Sequence, residues 1–298
     1  MKPKWLIEDF EADNKFDLLA EEVKKQGMEV EIVKYIPLES GNYNKYGKNE
    51  CVIVQSSLNL ATQLQRQKGW IPGPWLNSGA YQCTEYYPFL GKYLMNKDYV
   101  MLPRAEVKRK WPQLLKIFGN EYEGLFLRPS SGHKTFTGHV FQTEHLEKDY
   151  EWVDEFTDPQ SIIIISSVKE IEKEWRFVCA DHQIITGSLY KQRIGGVVSS
   201  GKYREIPTAI WQFDDDDINI QEDYSAFEFA GQVAFEEYNC DPMYTIDICK
   251  TADGEFHLLE IGSYSCAGLY DCNIEILVKK ATEIAIREWY EYYPKNNV

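Results

Sequence analysis

The chain has 298 residues, 44% of them hydrophobic and 14% aromatic, enough to bury a sizeable core in two or three subdomains. A net charge of −15 excludes whole-surface attraction to nucleic acid or anionic lipid and leaves room only for a local basic groove. Seven cysteines without a C-x-x-C pair argue against a disulfide framework or a zinc site and for a reducing, cytoplasmic setting.

No apolar run reaches the roughly 18 residues of a membrane span, and Met1-Lys2-Pro3-Lys4 leads into a strand rather than a signal peptide. That strand is expected at residues 5–7. Asp13 then caps a helix with Phe16, Leu19, Ala20 and Val23 on one face, stopped by Gly27. Strands at 30–35 and 51–55 complete a βαβ pattern, the mark of a parallel sheet with covering helices. No G-x-G-x-x-G follows the first strand, so the dinucleotide fingerprint is absent.

Residues 69–104 are rich in Trp, Tyr, Pro and Gly, and Pro72, Pro74, Pro88 and Pro103 interrupt any helical period. The stretch reads as an irregular connection packed on the core, with the lining of a ligand cleft as the other reading. A helix over 107–118 ends at Gly119. Residues 124–141, GLFLRPSSGHKTFTGHVF, read as strand, flexible loop and returning strand. Arg128 and Lys134, with the Ser and Gly residues between them, suit a loop that covers phosphate; an exposed basic hairpin is the plain alternative.

Residues 161–168, SIIIISSV, form a buried strand. A hairpin turning at Asp181-His182 follows, with Glu174, Arg176, Lys191 and Arg193 on or beside it; edge charges in water are the plain reading of each. Residues 195–201 read as a glycine-rich loop, and the acidic run 214–217, with Glu222 and Asp223, as a solvated one. Ser225-x-x-Glu228 is a capping box opening a helix to Tyr238, with Phe227, Ala230, Val233 and Ala234 inward. A last helix over 273–293 buries Leu277, Ala281, Ile284, Ala285 and Trp289.

Before that helix, residues 244–263 contain two apolar runs around Ala252-Asp253-Gly254-Glu255, a strong hairpin signal. A two-residue turn at Asp253-Gly254 sets Asp247 opposite Glu260, with Cβ atoms about 5 Å apart. Two carboxylates so placed call for a cation, and Mg²⁺ held with substrate phosphates is one answer; a solvent-facing pair is the other.

The order of these parts resembles the ATP-grasp superfamily, and in particular its clade defined by one arginine and two lysines. The resemblance rests on LRPSSGHKTFTG, on Glu174-Trp175-Arg176 with Thr186-Gly187-Ser188-Leu189-Tyr190, and on YTIDIC…LLEIGSYSCAGLYDC. These motifs span roughly residues 124–275. The implied fold is α/β (α+β): a pre-ATP-grasp βαβ domain over 1–105, a small subdomain with a phosphate-covering loop over 106–195, and a core subdomain with a metal-binding hairpin over 196–298. In this superfamily the two α+β subdomains hold ATP between them.

The implied activity is ATP-dependent ligation of a small-molecule or peptide carboxylate to an amine through an acyl phosphate. Such chemistry needs positioning and charge neutralisation more than a nucleophilic side chain. The resemblance sets Arg128 on the α- and β-phosphates, Lys134 on the β/γ side, and the backbone of Ser166, Ser167 and Val168 on adenine. Glu170 or Glu174 takes the ribose. Arg176, Lys191 and Arg193 face the transferred phosphoryl group, and Asp247 and Glu260 hold Mg²⁺. Where the superfamily has Glu-x-Asn this chain has Glu260-Ile261-Gly262, so Ser263 or a water stands in for the third ligand. Two other readings remain, a nucleotide-binding module without ligase activity and a small-molecule kinase. Many members are dimers, although no stretch here marks an interface.

Overall fold

A computed structural model describes the chain apart from residues 10–14, 37–45, 48, 68, 120–123, 133–134, 195–196, 207–217 and 297–298. In chain order the elements begin β1 (Lys4–Glu8), α1 (Lys15–Lys25), β2 (Glu29–Val33), β3 (Cys51–Gln55), α2 (Leu58–Gln67), β4 (Ile71–Gly73) and α3 (Cys83–Leu90). Next come β5 (Tyr99–Pro103), α4 (Arg104–Phe118), β6 (Gly124–Pro129), β7 (His139–Gln142), α5 (Leu146–Phe156) and β8 (Ile162–Ser166). The chain closes with β9 (Ile171–Ala180), β10 (Gln183–Ile194), β11 (Val197–Ile206), α6 (Ile218–Phe235), β12 (Met243–Thr251), β13 (Phe256–Ser263) and α7 (Ile274–Asn296). Two compact units result: residues 1–77, 173–248 and 260–298 form one, and 78–172 with 249–259 the other.

The first unit contains the expected parallel sheet, in the order β2-β1-β3-β4. All five residues of β3 are buried, which is why CVIVQ lacks the alternation of a half-exposed strand. On α1, Phe16, Leu19, Ala20 and Val23 face inward, and Gly27, at φ 76°, ends the turn that follows; Asp13 lies outside the described residues. A single apolar core joins Trp5, Ile7 and α1 to Val178, Met243 and the Leu277, Ala281 and Ile284 stripe of α7. Asn273 caps α7, its Oδ1 accepting the Ile276 N–H at 3.1 Å.

Strands β9 to β13 form a five-stranded sheet in the order β11-β10-β9-β12-β13. Its β9–β10 turn sets Asp181 and His182 at φ 49° and 62°, the left-handed pair that a two-residue hairpin turn demands. Gly187 faces Phe177 so closely that a Cβ there would lie 2.3 Å from the ring. Residues 195–196 of the expected glycine-rich loop lie outside the described residues, and the rest of it, 197–201, is corrected: it belongs to β11, which begins at Val197 and pairs antiparallel with β10. Backbone pairing at an edge outweighs the low strand preference of Gly and Ser.

The capping box is also overturned. Helix α6 starts at Ile218 and ends at Phe235, so Ser225 lies inside it and donates to the Gln221 carbonyl at 3.0 Å. Residues 214–217 lie outside the described residues. Glu222 and Asp223 sit on the helix, the first paired with Lys173 and the second accepting from Trp175 Nε1 at 2.7 Å.

The second unit is an antiparallel sheet in the order β5-β8-β6-β7. Its core packs Val107, Trp111 and Leu114 of α4 and Tyr150 and Val153 of α5 on Leu125, Leu127, Ile163 and Ile165. Within the aromatic stretch expected to be irregular, α3 and β5 are regular elements, and α3 contains Pro88 near its end, where one lost hydrogen bond is tolerated. Among the described residues no helix is long and apolar enough to cross a membrane, and all seven cysteines are free.

Candidate functional site

Strand β9 alternates two kinds of work. Lys173 and Trp175 turn toward α6, as their bonds to Glu222 and Asp223 require, so Glu174 and Arg176 share the opposite face. The neighbouring ladder steps from Leu189↔Trp175 to Lys191↔Glu174, leaving Tyr190 as the extra residue of a β-bulge. A bulge turns two successive side chains to one side. Both therefore reach Glu174: the Tyr190 hydroxyl donates at 2.8 Å, and the Lys191 ammonium forms an ion pair. Glu174 is 6% exposed. Arg193, two residues farther along β10, is exposed and pairs in register with Val198.

Arg176 meets Asp247, on the adjacent strand β12, as a fork. Its Nε donates to Oδ1 at 2.8 Å and its Nη2 to Oδ2 at 2.7 Å, while Nη1 donates to the Gly268 carbonyl at 3.2 Å. Burial opposes the charge on this guanidinium, but Asp247 overcomes it and holds the pKa well above the ordinary arginine value. Burial, with Asp247 and Glu174 nearby, pushes Tyr190 far above the usual phenol range, so it remains a neutral donor. Tyr270 stacks on Tyr190 with centroids 4.7 Å apart and planes 4° from parallel. The Arg176 guanidinium carbon lies 5.1 Å from the Tyr270 centroid and 5.7 Å from that of Tyr190.

The β12–β13 hairpin closes with the Thr251 N–H on the Glu255 carbonyl at 3.0 Å, around Ala252, Asp253 and Gly254. The expected two-residue turn is thus a three-residue one. Numbers paired beside the turn sum to 506, not to the 507 that a turn at Asp253-Gly254 implies. Gly254 adopts φ 89°, and Asp253 Oδ1 takes the Thr251 hydroxyl at 2.6 Å. Glu260 lies half-buried on β13. Thr245 donates its hydroxyl to the Gly262 carbonyl at 3.2 Å, and Ser263 donates its own to the Trp75 carbonyl at 2.6 Å.

Other candidates lie in the second unit. Arg128, on β6, donates from Nη1 to the Leu259 carbonyl at 3.2 Å. Lys134 lies outside the described residues. Ser130, in the same loop, accepts the Cys83 N–H on its carbonyl at 2.9 Å and the Thr84 N–H on its hydroxyl at 3.4 Å, which ties the loop base to the start of α3. Ser166 ends β8, buried, and residues 167–170 run on without regular structure. The Ser167 hydroxyl donates to Asp98, and Lys169 pairs with the same carboxylate at 3.0 Å. Burial raises the Asp98 pKa, but those two donors bring it below the usual carboxylate value. The exposed Glu170 accepts the Ala252 N–H on its backbone carbonyl at 3.2 Å.

Residues 109–279, more than half of the chain, match the family described as ATP-grasp domain, R2K clade family 2. The chain belongs to this ATP-grasp family. Solved structures agree on the fold. D-cycloserine synthetase DcsG superposes with a TM-score of 0.60 at 12% identity, over 96% of this chain and 99% of that one. D-alanine–D-alanine ligase from Bacillus anthracis gives 0.57 at 12% identity, over 98% and 99%. ATP-grasp ligase PsnB complexed with minimal precursor gives 0.50 at 11% identity, over 97% and 100%. No curated protein matches the sequence.

For an ATP-grasp chain the metal question falls on Asp247 and Glu260. Both are hard oxygen donors of the kind that Mg²⁺ accepts, on neighbouring strands, but the register beside the turn sets Leu259 rather than Glu260 opposite Asp247, so the face-to-face pair expected from a turn at Asp253-Gly254 is corrected. Among the described residues no group of three or more His, Cys, Asp or Glu side chains converges as a metal site. Gly262 offers no side-chain ligand. Tyr190, Tyr270 and Gly268, all built around Arg176, stand within the quoted motifs, but the sequence assigns them no role. A trace of one exists in the sequence: the strand alternation slips at Leu189-Tyr190-Lys191, as it must at a bulge.

Proposed function

We propose that this chain is an ATP-dependent ligase that joins an amino-acid or peptide carboxylate to an amine. The observation that carries the reading is the face made by Glu174, Arg176, Lys191 and Asp247, two cations and two carboxylates from three adjacent strands of an ATP-grasp chain. The names of the fold relatives, a D-cycloserine synthetase, a D-alanine–D-alanine ligase and an ATP-grasp ligase complexed with a minimal precursor, support this substrate class.

In this reading a substrate carboxylate oxygen attacks the γ-phosphorus of ATP and ADP departs. The amine nitrogen then attacks the acyl carbon, phosphate leaves, and the nitrogen loses its proton to solvent. Arg176, Lys191 and Arg193 neutralise charge spreading over the phosphoryl oxygens. Arg128 and Lys134 hold the other phosphates, and the backbone of Ser166, Ser167 and Val168 takes adenine. Glu174, buried against Tyr190 and Lys191, serves better as the holder of Lys191, leaving Glu170 for the ribose. Asp247 and Glu260 would hold Mg²⁺, which supplies charge neutralisation at the phosphates when bound, and Ser263 lies beside the position of the missing third ligand.

The test is ADP and phosphate release from ATP with Mg²⁺ across a panel of amino acids and peptides, with mass detection of the amide. Turnover is expected in the wild type and is expected to vanish in Asp247→Asn and Glu260→Gln. Turnover unchanged in both variants would sink the assignment of the two carboxylates. A second reading, a nucleotide-binding module, is favoured by Gly262 and by Arg176 occupying both oxygens of Asp247. Thermal stabilisation by ATP without any product would select it, and a stable phosphorylated product without amide would select a kinase.

A further inference from the structure

We infer that Tyr270 is a positioning residue for Arg176, held at the cost of local backbone strain. Its φ is 47°, a region that bulky side chains rarely enter. The Cys272 N–H on the Leu269 carbonyl, at 3.0 Å, closes a turn with Tyr270 and Asp271 at its centre. Of those two only Tyr270 has positive φ, so it stands where turns of this kind take glycine.

The strain is held in place from both sides. On one side, β10 anchors the loop through its own side chains: the Ser188 hydroxyl accepts the Asp271 N–H at 3.2 Å and the Thr186 hydroxyl the Asn273 N–H at 2.8 Å. On the other, the Tyr270 ring lies flat on Tyr190, which the β-bulge has turned to the same face. Glycine would satisfy the turn, so the turn does not explain the tyrosine. What the ring adds is a wall beside the Arg176 guanidinium, 5.1 Å from its centroid. The Gly268 carbonyl, two residues upstream in the same loop, accepts from Arg176 Nη1 at 3.2 Å. One loop therefore supplies both a hydrogen-bond acceptor and an aromatic face to the cation that grips Asp247. A guanidinium so bounded keeps its fork geometry, and a freer one loses it.

The catalytic part of this inference rests on the reading of Arg176 as a phosphoryl-contacting residue; the positioning part does not. The experiment compares Tyr270→Gly, Tyr270→Asn and Tyr270→Phe with wild type in three measurements. These are the melting temperature, the hydrogen-exchange rate of the Arg176 Nε–H by ¹⁵N NMR, and the kinetics of Mg²⁺–ATP turnover. Glycine and asparagine relieve the strained backbone but lose the stacked ring, so the melting temperature serves to show that both variants remain folded. Their Arg176 Nε–H should nevertheless exchange about tenfold faster or more, and kcat should fall about tenfold with KM for ATP little changed. Phenylalanine keeps the ring and should restore both readouts. Wild-type exchange protection in Tyr270→Gly and Tyr270→Asn overturns the inference, as does a Tyr270→Phe variant that behaves like the glycine one. Failure of the wild type to turn over ATP with any substrate defeats the proposed function instead, and the exchange measurement still decides the role of Tyr270.

Discussion

Arg176 and Asp247 engage through two parallel hydrogen bonds, and their side chains are 11% and 3% exposed. Removing one partner of so buried a pair leaves the other charge without compensation. Arg176→Ala should therefore lower stability by about 3–5 kcal/mol, most of it the penalty of a stranded carboxylate. Pairing it with Asp247→Ala should recover a large part of that loss. Urea unfolding of the two single variants and the double variant checks this; simple additivity would mean that the pair is not coupled.

Gly262 sits close against the Thr245 hydroxyl. A Cβ at this position would lie 3.1 Å from the Thr245 hydroxyl, tighter than ordinary contact. Restoring the superfamily's asparagine by Gly262→Asn alone should cost about 1–3 kcal/mol from overpacking. In the background Thr245→Ala the same substitution should cost clearly less, because the clashing oxygen has gone. Melting temperatures of the three variants decide the matter, and equal losses in both backgrounds would place the clash elsewhere.

These two pairs differ in how far the sequence reveals them. The parallel βαβ of the N-terminus is legible because apolar periodicity is local. The hairpin over 244–263 is legible because Asp253-Gly254 mark a turn, although not its length, since one extra loop residue changes no composition. Helix α2 escapes notice because its inward stripe is short, Leu60, Ala61 and Leu64 among polar residues. In the aromatic stretch Pro88 hides α3, and Gly and Ser disguise β11. The site shows the same limit. Glu174, Arg176, Lys191 and Asp247 stand out as charged residues on strands, but which of them pair depends on a bulge and on strand order. Those are long-range facts, and the sequence carries only the slip at Tyr190.

Glu174 collects the Tyr190 hydroxyl and the Lys191 ammonium in a buried position. Glu174→Ala strands a buried phenol donor and should cost about 1–3 kcal/mol. Tyr190→Phe, which leaves an accessible lysine to serve the carboxylate, should cost less. Chemical denaturation of both variants tests this ordering, and the reverse order would mean that Lys191 rather than Tyr190 depends on Glu174.

Glu288 gives the pH prediction. Burial raises its pKa above the ordinary 4.5, partly opposed by the Trp75 Nε1–H that donates to Oε2 at 2.8 Å. A carboxyl raised on folding contributes stability that is fully present below its unfolded pKa and is lost as pH rises through the folded one. Near neutral pH the charged form is therefore a liability. Glu288→Gln keeps an acceptor for Trp75 and should be more stable than wild type at pH 7, with the difference closing below about pH 4.5. Denaturant midpoints measured from pH 4 to pH 8 test the sign, and a constant gap would rule out titration of Glu288 as its cause.

The β9–β10 turn carries strain that can be removed without touching a bond. Asp181 and His182 both hold positive φ, but they are not equivalent. Asp181 accepts two hydrogen bonds from Arg287, at 2.7 and 2.6 Å, and that contact lowers its pKa. His182 is exposed on the outer side of the turn, so His182→Gly exchanges a strained residue for the one that such turns prefer. Glycine also loosens the unfolded chain, so the net gain should be modest, up to about 1 kcal/mol. Asp181→Gly relieves the same kind of strain but removes the partner of Arg287 and should show no gain. Melting temperatures of the two variants separate the effects: a stabilised Asp181→Gly would mean that the arginine contact contributes nothing, and a destabilised His182→Gly would mean that the imidazole holds the turn.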